Sequence, residues 1–338
     1  MRFHLFFPVL PLVVGLLAWA QFDAEAVLRV VILESLDADT ASEVLPIFEA
    51  ELDAQLAVDR RRVRFLRLHV SSSDLVPPLR RGRLADADLV VSFGSAAAAS
   101  GSRALDGTAT PHLFAYLPRE LALLLTDAAN AGGGAPTTGL TAQLPRGAAF
   151  AIANQLLASR NAPPLRIGII HPSTSGQASS STGPLAEAVV TPGFVAVPFT
   201  GSADDDAAVM VAQVTAAAAA AAASELAIDA FWLALDAAAP LAAMVQAIER
   251  HTGRPVVYAP SEAAVAAGAL MSLAPEPRST AREAASLAKQ LLDGAAPLDV
   301  PVRAVRRVHF SLNLRTANTL GIVPSHELME LARGRLFR

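Results

Sequence analysis

Ser95 stands where a nucleophile can be built. It follows the strand pattern 88–93 and Gly94, and an alanine-rich stretch starts directly behind it. A serine on a sharp strand-to-helix turn attacks a carbonyl when a histidine takes its proton and an acid orients that histidine. The local string Phe93-Gly94-Ser95-Ala96-Ala97 lacks the G-x-S-x-G pattern that such a turn requires. Two other roles suit the position. A hydroxyl there can cap the helix, and the free N–H groups of a helix start can hold a carboxylate or phosphate.

Other chemistry is missing by composition. The chain has no cysteine, so disulfides, thiolate nucleophiles, Cys-ligated zinc and iron–sulfur clusters are excluded. His69, His112, His171, His251, His309 and His326 are scattered, with no His-Glu-x-x-His, and no metal site is expected. Gly132-Gly133-Gly134 follows no strand and opens no helix, and no Walker sequence is present, so no nucleotide cofactor is expected either. Asp236 follows the strand pattern 228–235. It either caps the helix that starts near Leu241 or presents a carboxylate to a ligand amine. Trp232 lies in a wholly apolar strand and reads as core. Asn313 precedes the helical pattern 314–320 and reads as its cap. His171, before a proline at a strand end, reads as a surface or cleft-edge residue.

The elements that must carry these residues alternate. Residues 27–33 form a β-rich run, and 40–58 place Val44, Ile47, Phe48, Leu52 and Leu56 at helical spacing. Strands follow at 63–70, 88–93 and 112–117. A glycine- and alanine-rich stretch at 128–136 then marks a boundary. The alternation restarts: helix 146–159, strand 165–171, loop 172–183, strand 194–199, helix 205–226, strand 228–235, helix 241–251 and strand 255–258. Strands separated by helices imply βαβ units and parallel sheets. The expected fold is α/β, with two Rossmann-like lobes joined by a hinge. Parallel sheets bind ligands beyond the carboxyl ends of their strands, so two such units facing each other enclose a cleft.

The 338 residues are 53% hydrophobic and 17% charged, enough for two cores and incompatible with a disordered chain. The net charge of −4 gives no footprint for nucleic acid. Lys289 is the only lysine. At the N-terminus, Arg2 precedes an apolar run over 3–17 that contains Pro8 and Pro11, followed by Ala18-Trp19-Ala20. The run is short for a membrane span and ends in a small-x-small cleavage pattern. Residues 1–20 are therefore expected to be a signal peptide cut before Gln21, giving a periplasmic protein with no stable membrane insertion. An uncleaved anchor is the alternative. The lack of a cysteine at the boundary excludes diacylation.

The last third carries the most specific pattern. Phe310-Ser311-Leu312-Asn313-Leu314-Arg315-Thr316-Ala317-Asn318-Thr319-Leu320-Gly321-Ile322 resembles the ending of the ABC-transporter substrate-binding family that includes tryptophan-binding proteins, a branch of the type I periplasmic-binding-protein fold. Pro255-Val256-Val257-Tyr258-Ala259, Gly268-Ala269-Leu270-Met271-Ser272-Leu273 and Leu291-Leu292-Asp293-Gly294 with Pro297 are similar to further segments of that family, in its order. The resemblance implies a receptor that closes on a small-molecule ligand and delivers it to the membrane subunits of an ABC importer, with no catalysis.

It places the first lobe at 22–140 plus about 268–296, and the second at 141–267 plus about 297–338. It places ligand contacts at Glu34 and Ser35, Ser95 and Ala96, Tyr116, and Thr138 and Gly139. In the second lobe they fall at Ser173, Thr174, Ser175 and Gly176, at Asp236, and at Ser261 and Glu262. Relatives commonly carry Asn-Pro with acidic and Asn residues where this chain has His171-Pro172-Ser173, and Thr-Asp-Asn where it has Leu235-Asp236-Ala237. The departures keep open a protein-interaction or sensory module that uses the same fold without a ligand.

Overall fold

The computed structural model describes residues 27–36, 38–70, 84, 86–131, 134–142, 147–160, 162–173, 193–201, 206–235 and 239–338. The signal segment 1–20 lies outside them.

The chain enters the first lobe as β1 (Val27–Glu34). Val30, Val31, Ile32 and Leu33 are all buried, two on each face, because helices cover both sides of a parallel sheet and leave no wet face to alternate toward. Helix α1 (Ala38–Val58) lays Val44, Phe48, Leu52 and Leu56 on one of those faces. Their spacing of four keeps them on one stripe of the helix. β2 (Arg62–His69) follows at the sheet edge, and its exposed Arg62, Arg64 and Arg67 guard that edge against stray pairing. Next come β3 (Leu89–Phe93), α2 (Ser95–Ala104), β4 (His112–Leu117), α3 (Arg119–Asn130) and β5 (Thr137–Thr141).

The second lobe opens with α4 (Ala148–Ala158), β6 (Ile167–Pro172), β7 (Phe194–Phe199) and the alanine-rich α5 (Ala207–Ala223). It continues with β8 (Ala230–Leu233), α6 (Leu241–Thr252), β9 (Val256–Tyr258), α7 (Glu262–Ala267) and β10 (Met271–Pro275). Helix α8 (Pro277–Leu292), a turn at Pro297–Asp299 and the short β11 (Arg303–Ala304) then return to the first lobe. β12 (Val308–Asn313), α9 (Leu314–Thr319), α10 (His326–Leu331) and β13 (Leu336–Phe337) finish the second.

The first sheet runs β11-β5-β4-β3-β1-β2, all parallel. The second runs β13-β12-β10-β9-β8-β6-β7, parallel except where β12 lies antiparallel to β10. Among the described residues, no helix is long and apolar enough to cross a membrane.

The sequence pattern starts the return to the first lobe at 268. In the structure β10 pairs with β9 and β12 in the second sheet, and its Met271 and Leu273 pack with Phe310 and Leu312. The return begins only at α8, whose Ala281, Ala284, Ala285, Ala288 and Leu291 share a core with Phe48 and Leu52 of α1. It also extends past 296 into β11, beside β5. An ion-pair cluster clips the end of α8 in place. Lys289 Nζ lies 2.7 Å from both Asp59 and Asp293. Arg61 reaches Asp293 at 2.7 Å and donates to the Leu292 carbonyl.

Candidate functional site

The carboxyl ends of β1, β3 and β4 converge. Glu34 ends β1, and parallel register sets it beside His69, the last residue of β2. Glu34 Oε1 lies 2.8 Å from His69 Nδ1. Its Oε2 is buried and makes no hydrogen bond. A carboxylate oxygen in that state is a strong acceptor awaiting a donor.

Ser35 follows. Its Oγ accepts from the Ala97 N–H at 3.1 Å, while its own N–H is bonded to the Phe93 carbonyl at 2.9 Å. Ser35 thus caps α2 from the neighbouring strand. The N-cap position of α2 is Gly94, which has no side chain to offer, and Ser95 is the first helical residue. Gly94 adopts φ 93°, and a Cβ on it would stand 2.6 Å from Ser35 Oγ, so only glycine lets the two strand ends come this close. Ser95 and Ala96 are half-buried in the first turn of α2. Gly94 N–H bonds to the Ala115 carbonyl, which brings the end of β4 alongside. Tyr116 there has a left-handed φ of 63° at an irregularity of the β4–β5 ladder. A bulky residue held in that region is strained. Its ring belongs to the first-lobe core.

Thr138 and Gly139 sit apart from this cluster. Thr138 is fully buried and donates to the Val300 carbonyl at 2.6 Å. Gly139 pairs with Phe114, and a Cβ on it would lie 2.1 Å from the Phe114 carbonyl oxygen. Both hold β5 between β4 and the returning segment.

In the second lobe, Ser173 follows β6, and its hydroxyl donates back to the Phe199 carbonyl of β7 at 2.9 Å. Thr174, Ser175, Gly176 and Asp236 lie outside the described residues. Ser261 stands at the N-cap position of α7 without a side-chain cap bond. Glu262 accepts from Arg335 Nη1 and lies 3.4 Å from His309 Nε2, so its carboxylate is engaged by the C-terminal tail.

Trp232 is buried between Phe150 (4.4 Å, interplanar 3°) and Tyr258 (4.2 Å, 22°), a core stack rather than an open platform. Burial raises the Tyr258 phenol. Asn313 Oδ1 accepts from Thr316 N–H, the cap its position announces, and Nδ2 donates to the Val265 carbonyl. Half-buried His171 has its Nδ1 3.2 Å from the Pro172 carbonyl.

The sequence pattern does not announce His69, Arg335 or a sealed pair in the first lobe. In that pair Ser92 Oγ lies 2.8 Å from His112 Nε2, both side chains fully buried under Gly101 of α2. Burial lowers the His112 pKa to about 4. Among the described residues no group of three or more His, Asp or Glu is placed to hold a metal ion.

A profile described as ABC transporter substrate binding protein matches residues 207–335. A search of curated protein sequences gives no match. Among solved structures, an ABC domain from Streptococcus pneumoniae in complex with L-Trp superposes with a TM-score of 0.69 at 18% identity, covering 92% of this chain and 100% of that one. A conserved domain protein from Vibrio cholerae gives 0.67 at 18% identity, over 92% and 99% of the two chains. An ABC transporter solute binding protein from Bacillus halodurans with bound myo-inositol gives 0.57 at 12% identity, over 87% and 97%. The chain has the two-lobed α/β fold of type I periplasmic binding proteins, and its residues 207–335 carry the pattern of the ABC transporter substrate binding protein family.

Proposed function

We propose that this chain is the extracytoplasmic solute-binding component of an ABC import system and captures a small organic ligand by lobe closure, without covalent chemistry. The observation that carries the proposal is Glu34. One of its oxygens is held by His69, and the other is buried without a hydrogen bond. It stands at the strand ends where open sheets take their ligands, beside the start of α2. A carboxylate next to a helix N-terminus offers complementary partners to a ligand that carries an amine or hydroxyl donor and an acidic or polar acceptor. An amino acid or a related compound has that form. Asp236, following β8, is the proposed anchor from the second lobe, and the membrane subunits of the importer are the proposed partners. The engagement of Ser173 and Glu262 within their own lobe favours a second reading, a ligand-free interaction or sensory module, since it leaves fewer polar groups to close on a solute.

Thermal-shift screening of the exported chain against amino acids and polyols separates the two. A hit is then titrated through Trp232 fluorescence. Glu34→Gln is expected to weaken its binding ten- to a hundred-fold, because a charge-assisted hydrogen bond contributes about 1.5–3 kcal/mol. Unchanged affinity removes Glu34 from the site, and a screen with no hits supports the second reading.

A further inference from the structure

We propose that the paired serines of β10 and β12 bind an ordered water molecule at the root of two connections between the lobes. Ser272 and Ser311 are direct cross-strand partners in the antiparallel part of the second sheet. Their strand neighbours Met271, Leu273, Phe310 and Leu312 fill the apolar core on one face, so the two hydroxyls share the opposite face. Both are fully buried, and neither makes a hydrogen bond. Two residues either side of Ser311, His309 and Asn313 share that face. Asn313 is satisfied by Val265 and Thr316. His309 makes no hydrogen bond through either ring nitrogen, although Glu262 lies 3.4 Å away. The row is therefore satisfied at one end and left with three open polar groups in its middle and at its other end.

Directly opposed residues in an antiparallel pair have Cβ atoms about 4.5–5.5 Å apart. A water molecule bonded at about 2.8 Å to each hydroxyl spans such a gap. Buried waters commonly make about three hydrogen bonds to groups that otherwise lack partners, and the His309 imidazole supplies the third. The occupant is neutral because the local charges already answer each other: Arg335 donates to Glu262. Burial, with the nearby Arg335 charge, keeps His309 uncharged down to a pKa of about 4.

The place matters because these strands lead out of the lobe. β10 ends at Pro275, opposite Val308 of β12, and Glu276 N–H bonds to the Arg307 carbonyl where the two connections run side by side. On the reading proposed above, in which the lobes close on a ligand, the chain bends at this point. A mobile partner lets the serines exchange hydrogen bonds there without repacking a dry core.

A high-resolution crystal structure of the ligand-free chain tests the proposal. Density for a solvent atom within hydrogen-bond distance of both Ser272 Oγ and Ser311 Oγ supports it. Hydroxyls bonded to each other or to main-chain carbonyls, with no solvent peak between them, overturn it. Thermal unfolding provides a second test. Ser272→Ala and Ser311→Ala should each lower Tm, because each strips the water of a partner. The double variant should lose clearly less than the sum, since the water leaves with the second hydroxyl. Strictly additive losses count against the proposal.

Discussion

Gly139→Ala is expected to abolish accumulation of the folded chain, or to cost more than about 4 kcal/mol where folded protein can be recovered. Overpacking a core by a methyl group usually costs about 1–3 kcal/mol, because side chains can give way. Here the added carbon would lie 2.1 Å from a backbone oxygen and 2.5 Å from the Phe114 ring. Relief requires β4 and β5 to separate, and they meet next to the strained Tyr116. Urea unfolding at neutral pH measures the loss. Gly134→Ala is the control, because its nearest atom would be at an ordinary 3.4 Å. The result also settles why the glycine is there. A fold that survives while ligand affinity falls would return Gly139 to the cleft.

Acidification from pH 7 to pH 4 should remove about 3 kcal/mol of stability through His112 alone. The fully buried imidazole has a pKa of about 4 in the fold, against 6.5 for the free side chain. The folded value is the lower one, so the unfolded chain binds more protons between those two pH values and stability rises with pH across that window. The contribution is complete above pH 6.5 and lost as pH falls toward 4, and the gap corresponds to about 3 kcal/mol. His309 titrates in the same direction, lowered by burial and by Arg335. Replacing the pair with apolar groups, as Ser92→Ala with His112→Leu, should flatten the pH dependence of the urea midpoint. An unaltered slope in that variant would assign the acid sensitivity to other groups.

The central strands of both lobes are legible in the sequence because a strand covered on both faces is written as a largely apolar run, whereas β5 and the strands from β10 onward are not read there. Val30 to Leu33 and Phe231 to Leu233 are examples. Local signals also hold: Asn313 caps the helix it precedes, and Trp232 is core. What stays hidden is anything set by which strands become neighbours. His69 meets Glu34 only because β2 pairs with β1 in parallel register. The cap of α2 comes from Ser35, sixty-two residues before the amide it accepts from. Arg335 reaches Glu262 across seventy-three residues. The start of the return to the first lobe is hidden for the same reason. Nothing within Met271–Pro275 itself says which sheet it joins, and pairing with β12, Leu273 opposite Phe310, decides it.

The single lysine gives the chain a built-in direction for covalent attachment. Lys289 is tied to Asp59, and Arg61 beside it leads straight into the first residue of β2. All strands of the first sheet run parallel to β2, so this amine lies at the end of the lobe remote from Glu34, the end at which β1 also begins. Acylating reagents that join proteins to sensor surfaces through amines would therefore anchor the molecule by its back and leave the carboxyl-end face open to solution. The ion pairs with Asp293 and Asp59 hold the ammonium above its usual pKa, so such coupling calls for alkaline buffer and proceeds slowly. With the more acidic α-amino group blocked beforehand, the immobilised layer would be uniformly oriented.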